Sequence, residues 1–574
     1  MSLKPLPIEP VPEMTALIAR AAFRKGNLYM RLRDELGTLY TDEDFAPLFP
    51  SRGQPGLCAW RLALVTVMQF LENLSDRQAA DAVRARIDWK YALGLELTDP
   101  GFDYSVLSEF RDRLLQGKAE QMLLDRMLAH FKDKGLVKAR SRQRTDSTHV
   151  LASIRLMNRL ELVAETLRAT LNDLAQIAPD WLNSTAFPEW YEPYGRRVEQ
   201  SRLPKSEAAR MDFAQRVGQD GFLLLDALGG PSAPTEVTSL PTMQTLRQVW
   251  ERHYERTAEG KARWRAGPEL SRAATAIESP YDTEARHSTK RDTAWTGYKA
   301  HVSETCEPDL PRLITNVHTT LATTQDVTCT EHIHTCTEHI HQRLEGKNLL
   351  PGLHLVDTGF VDAELLVESQ QRYGVQLLGP PRSDKSWQAR EGGYDQAQFV
   401  IDWQSKRATC PEGKVSVWWG SNTARPDRAA PVHGSVHGED PARVKVRFAR
   451  QDCAGCANRA KCVRSVSGQA RTLVLYSQAQ HEALRQARGR ITSEEGRSEY
   501  RRRAGVEGTL SQGVRISGLR RCRYRGRVKT HLQHVAIAAA INVGRVVAYL
   551  DGKEPGGTQV SRLARSRPGA TVMA

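Results

Sequence analysis

Residues 144–153 read RTDSTHVLAS, and here the period of the chain changes. Polar and apolar residues alternate, the rhythm of a strand whose two faces meet different surroundings, and Asp146 falls inside it. Upstream the text is helical. Trp60, Leu64, Val67, Leu71 and Leu74 keep helical spacing, and Ser75-Asp76-Arg77-Gln78 has the form of a capping box that opens a helix over about residues 76–86. A third helix is expected from Ser105 through Phe110, Leu114 and Leu115. With Arg77, Arg84, Arg86, Arg111 and Arg113, these helices suit either a helix-turn-helix DNA reader or a helical scaffold with a solvated basic face. Downstream, helical text fills about 155–265, and strand-like runs return at 298–304 and 313–319. A helix is expected from near Asp326. GLHLVDTGF (352–360) reads as a short buried strand ending at Asp357, and GVQLLGPP (374–381) as another. Strands alternating with helices imply an α/β core with large insertions.

A chain of 574 residues exceeds a single core and suggests roughly two to four domains. With 40% hydrophobic and 26% charged residues it reads as globular, and 81 Lys+Arg against 67 Asp+Glu leave +14. That balance favours a polyanionic partner, nucleic acid first. The N-terminal residues carry no apolar leader, and the late apolar run 535–550 is short and interrupted by Asn542 and Arg545. No membrane association is expected, and the nine cysteines, an odd number, fit a reducing cytoplasm.

Asp146 and Asp357 both lie in or at the end of apolar strands, where an unpartnered carboxylate is costly. The partner is either a divalent cation or a set of structural hydrogen bonds. In YRRRAGVEGTLSQGVR (500–515), Tyr500, Arg503 and Glu507 stand at i, i+3 and i+7, one face of a helix. Such a trio suits a site handling phosphate and metal together: arginine on phosphate oxygens, tyrosine stacking or hydrogen-bonding, glutamate on Mg²⁺. An ordinary Arg–Glu surface pair has the same spacing.

Six phrases together resemble one family: GNLYMRLRDELG (26–37), LSDRQAADAVRARIDWKYALGLELTDPGFDYSVLSEFRDRLL (74–115), TDSTHV (145–150), SPYDTEARHSTKRDTAWTGYKAHVSET (279–305), HLVDTGF (354–360) and YRRRAGVEGTLSQG (500–513). The chain resembles bacterial insertion-sequence transposases of the DDE class, in the lineage with a Y-x2-R-x3-E signature. That resemblance implies a ribonuclease-H-like catalytic core with helical and β-rich insertions, preceded by an all-α N-terminal domain. It implies Asp146, Asp357 and Glu507 as catalytic ligands of two Mg²⁺ (or Mn²⁺) ions, with Tyr500 and Arg503 completing the signature. The family expects a basic residue seven after the glutamate; Val514 stands there and Arg515 one later. Terminal inverted repeats and target DNA are the implied partners, bound by a homodimer on paired ends. A related structure-selective nuclease and a DNA-binding protein that has lost catalysis are the alternatives.

The expected organisation is a helical DNA-binding domain over 1–140 and a first core part over 141–384, with a helical insertion at about 155–270. A β-rich insertion follows over 385–480, then a second core part over 481–551 and a disordered tail over 552–574. RISGLRRCRYRGRVKTHLQH (515–534) places Arg515, Arg520, Arg521, Arg523, Arg525, Arg527 and Lys529 around Tyr524, a density that favours DNA-backbone contact. Trp295, Tyr298 and Lys299 offer stacking surfaces and a cation to end DNA, or are simply strand residues turned into the core. Cys453 and Cys456 form a C-x2-C knuckle followed by Cys462, with Cys410 upstream on a Pro/Gly turn, and four thiolates make a candidate structural Zn²⁺ site. TCTEHIHTCTEHIH (328–341) is one heptad written twice. Cys329, Ile333, Cys336, Ile340 and Leu344 make a helical apolar stripe, so a core helix is expected there rather than a metal site, with His334 and His341 directed away from the stripe.

Overall fold

The computed structural model describes residues 2–231, 233–270, 275–290, 292–324, 336–421, 443–465 and 469–553. The three expected N-terminal helices are present, α1 (Ala59–Leu71), α2 (Asp76–Ala85) and α3 (Ser105–Gln116), and a further one follows, α4 (Met122–Asp133). At the start of α2, Ser75 Oγ accepts from the Gln78 N–H while the Gln78 side chain accepts from the Ser75 N–H, so two otherwise orphaned donors are satisfied.

The period change at 144–153 marks β1 (Arg142–Leu151). The same sheet holds β2 (Arg286–Lys290), β3 (Thr293–Thr305), β4 (Ile314–Leu321), β5 (Leu353–Leu355) and β6 (Gln376–Leu378). β1 is central. It pairs antiparallel with β3 and parallel with β5; β6 extends the sheet in parallel beyond β5, while β2 and β4 both pair antiparallel with β3. Helices α5 (Cys336–Gly346), α6 (Ala363–Tyr373), α7 (Gln478–Thr492), α8 (Glu494–Arg501), α9 (Gly505–Ser517) and α10 (Arg527–Leu550) surround it.

The sheet's faces differ because side chains alternate along each strand. Thr145 faces the side carrying α5, where it meets His354 and Ser303. Arg144 faces the opposite side, against the turn that opens α9, and by alternation Asp146 shares that side.

Among the described residues, three of the apolar cores organise the fold, each separate from the others. One lies within the helical insertion, among Leu167, Val217, Leu246 and Trp250. A small one holds the β-rich insertion, around Val446, Leu473 and Leu475. The largest joins Phe70 of α1, Phe110 of α3 and Met127 of α4 to Val317 of β4, Ile340 of α5 and Val535 to Val547 of α10. The N-terminal helices thus share one apolar core with the sheet and α10, across the boundary expected at 140. Their inner faces have no other apolar surface to cover, and α10 fills the space between them and the sheet. By length and composition α10 is the one described helix apolar enough to cross a membrane, and most of it is buried inside the fold. The tail from 554 onward lies outside the described residues.

Candidate active site

The β1–β5 register pairs Arg142 with Leu353 and Arg144 with Leu355. Carried on by two residues, it sets Asp146 opposite Asp357 on the same face, because in-register parallel neighbours point the same way. Asp357 lies just past the strand end, where its Oδ1 accepts from the Thr358 N–H at 2.8 Å and caps the turn Thr358–Phe360. Asp146 Oδ1 accepts from the Ser147 N–H at 2.8 Å. Burial pushes the Asp146 carboxyl above its usual range; the Asp357 charge adds to this, while Arg503 and the Ser147 amide oppose it.

Glu507 arrives from the other end of the chain. Tyr500, Arg503 and Glu507 do not share one continuous helix as expected. Tyr500 ends α8, Arg503 sits in the 3₁₀ turn Arg502–Ala504, and Glu507 is in the first turn of α9. The tight turn places Gly505 against β1, where a Cβ would collide with the Arg144 guanidinium. Arg503 Nη1 donates to Asp146 Oδ2 at 3.0 Å, and Arg503 Nη2 stands 3.6 Å from Glu507 Oε1. Asp146 and Arg503 are each 15% exposed, whereas Glu507 is 64% exposed and opens to solvent. Half-buried Tyr500 packs on Leu353, Leu355, Leu378 and Cys306, and burial raises its hydroxyl pKa, with Asp357 and Asp146 adding and Arg503 opposing. Arg503 thus bonds Asp146 and stands near Glu507, and the Asp357 charge also bears on it. As they stand, no three His, Cys, Asp or Glu side chains among the described residues are arranged to hold a metal ion.

The proposed stacking residues are core residues. Trp295 and Tyr298 are buried; Trp295 Nε1 donates to the Tyr298 carbonyl at 3.1 Å, and the Tyr298 hydroxyl donates to Asp282 at 2.5 Å. Lys299 Nζ donates to the Thr324 carbonyl at 2.6 Å. Both faces of β3 are covered here, so neither aromatic ring presents a face to a base. The basic segment divides in two. Arg520 Nε donates to Thr148 Oγ1 at 2.7 Å, and Arg523 donates to the Leu74 carbonyl and lies over the Phe70 ring. Those two fasten the segment to β1 and the N-terminal helices. Arg527 and Lys529 pair with Glu284 and Asp112, while Arg515, Arg521 and Arg525 are exposed.

Cys410, Cys453, Cys456 and Cys462 line one cavity of about 30 Å³ with Phe399, Phe448 and Arg471. Burial pushes the Cys462 thiol up to about 11; Arg471 opposes this and the other three cysteines add to it. Of the doubled heptad, Cys329, His332, Ile333 and His334, with the Cys336 side chain, lie outside the described residues. Ile340 and Leu344 are buried, as the stripe predicts. His341, off the stripe, points into the protein, where its Nε2 meets His354 Nδ1 at 2.9 Å, and His354 Nε2 meets Thr145 Oγ1 at 2.7 Å.

Residues 409–547 match a family model described as Transposase DDE domain, and residues 19–113 one described as Transposase domain (DUF772). Tyr500, Arg503, Glu507 and the four cysteines lie within these ranges; Asp146 and Asp357 lie outside them. No curated protein and no solved structure matches the chain. The two matches support an insertion-sequence transposase.

Proposed function

We propose that this chain is a DDE transposase that cuts the ends of its element and joins them to target DNA. The observation that carries this reading is the meeting of Asp146, Asp357 and Glu507 around Arg503, from three distant parts of the chain. Three carboxylates on neighbouring elements about one part-buried guanidinium are oxygen donors of the kind hard divalent cations take, and they must close in from their present positions to hold one. When bound there, two Mg²⁺ or Mn²⁺ ions would supply activation of water or a 3′-hydroxyl and stabilisation of the leaving oxygen. The chain's own residues do the rest. Arg503 orients the Asp146 carboxylate and offers its remaining N–H donors to a phosphate oxygen. Tyr500 closes the apolar side of the site, and the exposed Arg515, Arg521 and Arg525 lie on the segment that follows α9, as DNA-backbone contacts. The antiparallel run β1–β3–β4, continued in parallel by β5 and β6, supports a ribonuclease-H-like core. A homodimer on paired terminal inverted repeats, working in the cytoplasm, completes the proposal. The test is strand joining: purified protein, Mg²⁺ and duplex DNA carrying the element's end should yield nicked ends and joined products. Cutting without joining favours a structure-selective nuclease; DNA binding with no cutting favours a protein that has lost catalysis.

We also propose a structural Zn²⁺ on Cys410, Cys453, Cys456 and Cys462. The four thiols share one small cavity in a domain whose own apolar core is a handful of residues, a setting in which metal commonly supplies stability. Closing round an ion requires rotation of the thiols from their present positions. Metal analysis of the purified chain should find one zinc per chain, reduced to background by Cys453→Ser/Cys456→Ser. Stoichiometry unaffected by the double substitution, or no zinc in the unsubstituted chain, rejects the site.

A further inference from the structure

Glu304, on β3, is wholly buried, yet three groups from distant parts of the chain converge on its carboxylate. Arg144, its register partner on β1, donates from Nε to Oε1 at 2.7 Å. Thr509 Oγ1 of α9 donates to Oε2 at 2.5 Å, and Arg545 Nη1 of α10 donates to the same oxygen at 2.7 Å. Arg545 Nη2 continues to Thr509 Oγ1 at 2.6 Å and to Gln512 Oε1 at 3.0 Å. Arg144 also donates from Nη1 to the Arg502 carbonyl, in the turn that carries Arg503. A buried carboxylate between two guanidiniums is satisfied in this one arrangement, and moving any member strands a charge.

The placement of these groups gives the node its meaning. Arg144 precedes Asp146 by two residues and so shares its face of β1. Thr509 follows Glu507 by two residues, roughly 200° round the helix, so it faces the sheet while Glu507 faces away. Glu507 is largely exposed and reaches Arg503 only at 3.6 Å, a loose hold on its side chain. Its direction therefore depends on how α9 is seated.

We infer that Glu304 is a positioning residue: through Arg144, Thr509 and Arg545 it fixes the depth and rotation of α9, and so aims Glu507 at Asp146 and Asp357. This rests on the transposase reading for its catalytic consequence, but the anchoring does not. Thr509→Val keeps the shape of the side chain and removes the hydroxyl, whereas Glu304→Gln leaves two buried arginines under-compensated and risks the fold. Thr509→Val should therefore lower Mn²⁺-dependent end cleavage by roughly 10- to 100-fold, the usual effect of losing a partner that orients a metal ligand. The Mn²⁺ concentration for half-maximal cleavage should rise, with DNA affinity unchanged, a modest fall in melting temperature from the two buried partners left short, and Thr509→Ser restoring activity. Cleavage by Thr509→Val at the wild-type rate overturns the inference, and so does a loss accompanied by equal loss of DNA binding. If the wild type cuts nothing, the transposase reading fails and amide exchange across residues 505–517 decides the rest. Faster exchange in Thr509→Val than in wild type supports the anchor, and equal exchange overturns it.

Discussion

Asp146→Asn should lower metal-dependent end cleavage by about three orders of magnitude while leaving DNA binding intact, since removing one well-aimed electrostatic group already costs about 10²–10³. The same substitution should leave the melting temperature unchanged or raise it. Burial, and then the neighbouring Asp357, hold the Asp146 carboxyl above its usual range. A carboxyl raised in the fold contributes stability that is fully present below about pH 3.9, its unfolded value, and is lost as pH rises through the folded value. Above the folded value the wild type carries an ionised group that burial disfavours, even with Arg503 beside it, and asparagine removes that penalty. Paired cleavage assays and thermal melts at pH 7 check both halves. Equal cleavage by the Asp146→Asn variant and the wild type would sink the assignment of Asp146, and a large drop in melting temperature would show that the Arg503 pair outweighs burial.

The second large effect is acid lability. His341 and His534 are fully buried, and burial depresses each to about 4. His318, His354 and His531 are lowered further, burial first in each case. The groups facing them worsen matters for a proton. Arg343 from α5 lies beside His318 and His531, Lys347 and Arg527 bear on His531, and His301 and His339 face His318. Unfolded histidines take up protons near pH 6.5, so between 6.5 and 4 the unfolded chain binds more protons than the fold, and stability falls with falling pH. Each of His341 and His534 accounts for roughly 3 kcal/mol over that window, a large part of a typical total of about 5–15 kcal/mol. Melting temperature should be flat above about pH 7 and fall steeply below about 6.5. Carboxylate-driven loss would begin only near pH 4–5. A melting temperature constant from pH 7 to 5 contradicts the neutral, buried state of this histidine layer.

Much of the fold was legible because it is written in local periods. The two-residue alternation over 144–153 placed β1 and Asp146, the box at Ser75–Gln78 opened α2, and the stripe through Ile340 and Leu344 found the buried face of α5. What escaped was long-range. Alternation cannot say whether the second face of a strand is covered, so Trp295 and Tyr298 read equally well as surface and as core. Charge density cannot say which arginines are used for packing, and Arg523 finds Phe70 and Leu74 across some 450 positions. The node at Glu304 joins residues 144, 304, 509 and 545, none of which carries a local signal. Asp146, Asp357 and Glu507 were picked out by strand and helix pattern and joined into one site by resemblance; the register between β1 and β5 supplies the physical reason the two aspartates would meet.

The seating of α10 between the N-terminal helices and the sheet has a consequence for synthesis. A ribosome releases α1 to α4 first, yet their inner surface matches a helix translated more than 390 residues later. Until residue 550 emerges, those helices and the central strand expose apolar surface to solvent or to chaperones. Premature stop codons anywhere before α10 should therefore yield not partial enzymes but chains without a completed core, destined for proteolysis. A complete core therefore waits on translation as far as α10.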